Sequence, residues 1–269
     1  MYKSETGYKL INLDSVDSTN NYAKALGDVS QAVVIAAETQ TGGRGRLGRS
    51  FISPAGVGIY MSIVIPRSEI KIPLFLVTPA AAVATCRAIK NVCGVSPQIK
   101  WVNDIYLNNK KICGILTEVQ SGTAESIIVG IGVNCFPGSF PIDVAEIAGC
   151  ISDDRFSFDR EQLLKEIANS VLAILSVTNA VEETSRVELS NPSTNEESSS
   201  EPAFLSEYRK LCFILGKQVV VMSIPSGEKY NATAIDIDCD GALIVKRTND
   251  LGESEVVRLI SADVSVHLD

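Results

Sequence analysis

Apolar positions follow two rhythms along the chain. Short runs rich in β-branched residues occur at 32–37, 58–66, 98–107, 111–120 and 126–134, and these predict strands. Asn108-Asn109 and Ser121-Gly122 are the turn signals between the last three. Residues 10–27 read as a strand, a turn and a helix, with Ser18 or Thr19 as N-cap. Residues 73–91 form a long alanine-rich helical pattern, and Gly94 suits its stop. Residues 159–177 predict a second, amphipathic helix with Ser157 or Asp159 near its cap, and 203–215 a short third one. From Gln218 onward short strands alternate with turns at Ser226-Gly227, Asp240-Gly241 and Leu251-Gly252, the pattern of a small β-barrel. The strand runs come in hairpins and the helices do not alternate strictly with them. The expected fold is therefore α+β, a mixed or antiparallel sheet with helices on one face, followed by the small β-barrel.

Composition changes this picture in one place. Residues 182–202 carry six glutamates, six serines, two prolines and one arginine. Such a segment cannot bury apolar surface and reads as a disordered linker or insertion. It divides the chain into 1–181, 182–202 and 203–269. Overall, 45% of the 269 residues are hydrophobic and 21% charged, enough for a real core. The net charge of −8 disfavours general binding to a phosphate backbone. The single histidine, His267, excludes a zinc site built on several histidines, and a Ser-His-Asp triad unless it uses that end. Seven cysteines with no C-x-x-C, mostly inside apolar runs, read as buried free thiols in a reducing compartment. No run is apolar for the length of a membrane span and the start is not a signal peptide, so the expected location is the cytoplasm, with no membrane partner.

The candidate chemistry starts at Gly43-Arg-Gly-Arg-Leu-Gly48. This fits G-x-G-x-x-G after a strand, the dinucleotide fingerprint. A strand pattern follows it rather than a helix, and the acidic residue expected about 20 positions on is missing, which disfavours that reading. Arg44, Arg46 and Arg49 suggest instead a loop that folds over an anion and holds it with forked hydrogen bonds. A solvated basic loop is the plainer alternative.

The second constellation is a lysine hairpin. If Asn108-Asn109 is a two-residue turn, Leu107 pairs with Lys110, Tyr106 with Lys111 and Asp104 with Cys113. Alternation then puts Lys100, Asp104, Tyr106 and Lys111 on one face, with Asn103, Lys110 and Gly114 on the other. Lys111 and Asp104 would be diagonal neighbours about 7–8 Å apart. They could flank a metal-bound phosphate, Asp104 on the cation and Lys111 on the phosphate or an acyl carbonyl. They could equally be a surface ion pair of little consequence. A longer turn would exchange Lys110 for Lys111.

Taken in order, Asp17-Ser-Thr-Asn-Asn21, Gln40-Thr-Gly-Gly-Arg-Gly-Arg-Leu-Gly-Arg49, Lys100-Trp-Val-Asn-Asp-Ile-Tyr106, Lys111-Ile-Cys-Gly-Ile-Leu116 and Gly130-Ile-Gly-Val-Asn134 resemble the biotin–protein ligases, the biotin–[acetyl-CoA carboxylase] ligase and holocarboxylase synthetase family. The resemblance is close over residues 10–136, and the C-terminal β-region fits the family's SH3-like domain more loosely. It implies an ATP-dependent ligase with biotin and ATP as substrates and Mg²⁺ as cofactor. Biotinyl-5′-adenylate forms first, and the biotinyl group then passes to a lysine of a carboxylase's biotin carboxyl-carrier domain.

Residue by residue, Ser18, Thr19, Asn20 and Gln40 resemble the ligands of the biotin head, and Gly114 and Leu116 the lining of its trough. Arg44, Gly45 and Arg46 resemble the loop closing over biotin and adenylate, with Arg46 on the phosphate and Arg49 on the triphosphate. Lys111 resembles the central lysine that touches both carboxyl and α-phosphate; with Arg46 it is the implied catalytic pair. Asn103, Phe51 and Asn134 resemble nucleotide-side contacts, and Asp104 the Mg²⁺ ligand. Val102 stands where the family usually has proline, and Phe51 where it often has tryptophan, keeping a stacking face without the N–H. No helix-turn-helix pattern precedes residue 10, so specific DNA binding is not expected. A monomer or homodimer is. A lipoate or octanoate ligase of the same fold family would need a glycine- and histidine-bearing loop that the sequence lacks. A non-catalytic biotin-binding module would not need Arg46, Lys111 and Asp104.

Overall fold

The computed structural model describes residues 7–120, 125–138, 140–176, 201–224, 227–248 and 252–266. The acidic stretch at 182–200, the Ser121-Gly122 turn, Ser226, Leu251 and His267 lie outside the described residues. Seven strands make the large sheet: β1 (Lys9–Val16), β2 (Val33–Gln40), β3 (Gly58–Pro66), β4 (Gln98–Lys100), β5 (Asp104–Leu107), β6 (Lys110–Gln120) and β7 (Ser126–Asn134). Their order is β1-β2-β3-β7-β6-β5-β4. The β1–β2 ladder is parallel and the others are antiparallel, so the sheet is mixed, as expected.

Alternation along the strands creates two unlike faces. On one, Ile63, Ile65, Ile115, Val129 and Ile131 meet α2 (Val77–Cys93), α4 (Arg160–Ser176) and α5 (Ala203–Leu211) in the main core. Ala80, Ala81, Ala84 and Ala88 are fully buried on α2, and their small side chains let helix and sheet approach closely. Leu163, Ile167, Val171 and Ile174 make the matching stripe on α4. Gly94 closes α2 in the left-handed conformation that its sequence position predicts. Among the described residues the opposite face carries only the short α1 (Thr19–Ala25), seated by Ala23 on Val33, Ile35, Val64 and Ile128. The three longer helices thus cover one face as expected, and α1 leaves the other face partly open. α3 (Ile142–Ala145) lies beyond β7.

Two expectations need correction. Residues 98–107 are not one strand: Trp101–Asn103 form a turn and β4 folds back on β5, with Lys100 opposite Asp104. The second sheet contains β8 (Gln218–Ser223), β9 (Lys229–Ile237), β10 (Leu243–Thr248), β11 (Ser254–Leu259) and β12 (Ala262–Val266) in the order β11-β10-β9-β8-β12. Among the described residues no ladder joins β11 to β12, so this antiparallel sheet is open where a barrel was expected. The cysteines are all free; Cys86, Cys113, Cys135 and Cys212 are buried, but Cys239 is exposed. No described helix is long and apolar enough to cross a membrane.

The turn between β4 and β5 is one place where the two sheets are tied together. Trp101 Nε1 donates to the Gly241 carbonyl at 2.9 Å, and Tyr208 Oη on α5 donates to the Val102 carbonyl at 3.0 Å. The peptide joining Trp101 to Val102 is cis. Trp101→Phe keeps most of the buried ring but leaves the Gly241 carbonyl without this donor, a cost of about 1–3 kcal/mol. A urea titration should show that loss of stability. An unchanged midpoint would mean that the tie contributes nothing.

Candidate ligand site

A trough of about 440 Å³ opens on the sheet face that α1 leaves free, within the size range of small-molecule sites. Its floor is the backbone of β6 and β7. A side chain at Gly130 would place Cβ 2.2 Å from Asn20 Oδ1, and one at Gly132 would place it 2.5 Å from the Phe51 ring. These glycines are what let Asn20 and Phe51 lie on the sheet.

The polar end is built by α1 and the end of β2. Ser18 occupies the N-cap position of α1, but its hydroxyl caps no backbone N–H. Thr19 donates its N–H to Gln40 Oε1 at 2.8 Å, and its hydroxyl lies 3.1 Å from the same oxygen. Gln40 Nε2 reaches Ser53 Oγ at 2.9 Å. Ser18, Thr19, Asn20 and Gln40 are therefore brought together, and Leu116 and Gly114 line the trough beside them.

The Gly/Arg loop forms the rim. It turns back on itself through a Gly45 N–H to Arg49 carbonyl bond of 2.7 Å, with Leu47 and Gly48 both at positive φ. Its arginines fan out rather than converging on one point. Arg44 donates to Asn21 Oδ1 at 3.0 Å. Arg46 crosses to Asn103 Oδ1 at 3.1 Å and to Ser261 Oγ at 3.4 Å. Arg49 pairs with Asp263 on β12, so the second sheet contributes to the site.

The lysine hairpin closes the other end. Asn108 and Asn109 both have positive φ and make the two-residue turn, with Tyr106 opposite Lys111 as expected. The expected register then slips: Ile105 faces Cys113 and Asp104 faces Gly114, because an irregularity at Ile105/Tyr106 absorbs one residue of β6. This bulge corrects the face assigned to Gly114, which lies beside the Lys111 ammonium group. The two side chains meet in an ion pair, Lys111 Nζ to Asp104 Oδ1 at 2.7 Å. That oxygen is buried and receives no well-directed hydrogen bond, so the ion pair leaves its acceptor capacity unfilled. Asn134 Oδ1 is a second buried acceptor at the trough without a donor; its amide nitrogen bonds to the Gly149 carbonyl at 3.0 Å.

Four residues at the site, Lys100, Gly130, Gly132 and Asp263, were given no role from sequence. Lys100 faces Asp104 across β4–β5, and its ammonium lies 5.9 Å from the Tyr106 ring centre. Burial lowers its pKa, while Asp104 and Asp263 act in the opposite direction. Its place in the Lys100–Tyr106 motif was the available signal. Gly130 and Gly132 were visible as part of Gly130–Asn134, but their function depends on what rests on them. Asp263 had no signal, because only the packing of the second sheet brings it to Arg49. Burial also raises the Tyr106 phenol to about 12, which keeps it neutral beside these charges.

Fold and site together give an α+β protein with a trough that has a neutral polar end and a cationic end. Residues 13–134, a little under half of the chain, match the model of the biotin/lipoate A/B protein ligase family. It is 38% identical over 155 residues to the bifunctional ligase/repressor BirA of Bacillus subtilis, covering 54% of this chain and 47% of that protein. It is 26% identical over 241 residues to the biotin–[acetyl-CoA-carboxylase] ligase of Mycobacterium tuberculosis, covering 88% and 79%. The chain thus spans about half the length of the BirA relative. Among solved structures, the biotin protein ligase of Aquifex aeolicus in complex with biotin and ATP superposes with a TM-score of 0.74 at 23% identity, over 96% of this chain and 99% of that one, a likeness of fold.

Proposed function

We propose that the protein is an ATP-dependent biotin–protein ligase that forms biotinyl-5′-adenylate and transfers the biotinyl group to a lysine of a carboxylase's carrier domain. The observation that carries this reading is the position of Lys111, paired with Asp104 where the polar cradle meets the cationic end, with Arg46 on the opposite rim bonded to Asn103. The biotin head lies against Ser18, Thr19 and Gln40, and its carboxylate runs along Gly114 toward Lys111. A carboxylate oxygen attacks the α-phosphorus, the bond to the bridging oxygen breaks, and pyrophosphate leaves. The Lys111 ammonium screens the two anions as they approach, and Arg46 neutralises the resulting phosphodiester. Asn134 Oδ1 suits an amine donor such as that of adenine, and Arg49 can exchange Asp263 for the triphosphate. The acceptor amine then attacks the acyl carbon and AMP departs.

Asp104 fits a Mg²⁺ ion, because its buried oxygen has unfilled acceptor capacity and Mg²⁺ commonly takes one or two carboxylates plus substrate phosphates. Among the described residues no cluster of three or more His, Cys, Asp or Glu is placed to hold a metal without substrate. Mg²⁺ would supply charge neutralisation at the phosphates. A cytoplasmic location suits the free thiols.

The test is to incubate the protein with Mg-ATP, biotin and a purified biotin carboxyl-carrier domain and weigh the carrier by mass spectrometry. Addition of one biotinyl group is the expected result. Modification by lipoate or octanoate but not by biotin would replace this function with that of the other branch of the family.

A further inference from the structure

The turn before β5 holds a side chain that pairs as a strand residue would. Asn103 precedes Asp104, the first residue of β5, and so comes opposite Ile115, which follows Gly114 on β6. It is buried, and it exchanges two hydrogen bonds with Ile115. Its backbone carbonyl accepts the Ile115 N–H at 3.0 Å, and its side-chain Nδ2 donates to the Ile115 carbonyl at 2.9 Å. The second bond settles the amide, because a carbonyl can only accept: the NH₂ faces Ile115 and Oδ1 faces the rim. There Oδ1 meets Arg46 Nη1 at 3.1 Å, and a guanidinium can only donate. A reversed amide would set lone pair against lone pair at Ile115 and N–H against N–H at Arg46, at a buried residue. Arg46 therefore finds a fixed acceptor. Its other contact, Ser261 Oγ, is 3.4 Å away on an exposed turn, and a hydroxyl there rotates readily.

We propose that Asn103 is a positioning residue that acts through Arg46: its amide, fixed from behind by Ile115, holds the guanidinium at the trough before any phosphate arrives. A donor fixed in advance needs no reorganisation when negative charge develops, so it stabilises that charge more than a mobile cation would. The contact that the sequence resemblance implies for Asn103 on the nucleotide side thus runs through Arg46. This rests on the biotin reading, in which Arg46 neutralises the phosphodiester of the adenylate. It adds a residue that governs retention of the intermediate without touching it.

A double-mutant cycle on adenylate release tests it. Protein loaded with labelled biotin and Mg-ATP is desalted, and loss of the bound adenylate is followed by rapid filtration. Asn103→Ala should release the adenylate about tenfold faster than wild type. In the Arg46→Ala background the same substitution should change release by less than about twofold, because nothing remains to be positioned. A packing role would lower the melting temperature in both backgrounds and cancel from the cycle, whereas a direct contact with the nucleotide would speed release by the same factor in both. Asn103→Ser, whose hydroxyl is too short to reach Arg46, carries the test if the alanine variant misfolds. Ser261→Ala, which removes the longer contact of Arg46, should speed release less than Asn103→Ala. Equal acceleration in both backgrounds, none in either, or a larger one from Ser261→Ala would overturn the proposal. A wild-type protein that forms no adenylate from biotin would overturn the functional reading, and this inference with it.

Discussion

Lys111→Ala is expected to slow adenylate formation about 10²–10³-fold, the usual effect of removing a fixed donor from a site of developing charge. Negative charge gathers on the α-phosphate as pyrophosphate leaves, and a carboxylate must approach it. An ammonium held between the two acts more strongly in the transition state than in the ground state, so kcat should fall further than biotin affinity. The structure adds a second reason. Asp104 Oδ1 lies 2.7 Å from Lys111 Nζ, and truncation leaves that carboxylate uncompensated beside the incoming phosphates. Lys111→Arg should rescue poorly, because a planar fork does not fit the place of a compact ammonium above Gly114. Lys110 points away from the trough to the Glu146 carbonyl, and Lys110→Ala should stay within about twofold of wild type. Rapid-quench measurement of the first turnover separates these cases. A damaging Lys110→Ala with a harmless Lys111→Ala would show that the wrong lysine had been placed in the site.

Arg46→Ala is expected to let the adenylate escape. Arg46 is the arginine of the loop that bonds the hairpin, at Asn103, and also reaches the second sheet, at Ser261. It therefore straps the rim across the trough, and in the bound state it would neutralise the phosphodiester. Charge-assisted hydrogen bonds contribute about 1.5–3 kcal/mol, which corresponds to release about ten- to a hundredfold faster. The released acyl-adenylate should also label lysines of bystander proteins. Equal dissociation rates for variant and wild type would show that the loop does not retain the intermediate.

Much of this site could be read from the sequence because its parts are local. The Asn108-Asn109 turn dictates that Tyr106 faces Lys111. The strand after Gly48, where a dinucleotide site would have a helix, is β3. What could not be read depends on tertiary packing. The bulge that swings Gly114 to the Lys111 side and the turn that brings Lys100 opposite Asp104 leave no periodic trace in the sequence. The spread of the three arginines depends on Asn21, Asn103 and Asp263, which come from three separate parts of the chain. Asn20 on α1 is bonded to Glu118 on β6 and to Ser62 on β3, and only the pairing of distant strands brings these together. Residues 10–27 read simply as a strand, a turn and a helix, yet the position of α1 on the face opposite the longer helices is what leaves room for a ligand.

Isotope exchange between labelled pyrophosphate and ATP tests the first half-reaction without any carrier protein. A site that adenylates biotin predicts exchange that requires biotin, saturates with it, is not supported by lipoate or octanoate, and falls with Lys111→Ala. Exchange that proceeds equally without biotin, or that lipoate supports and biotin does not, would contradict it.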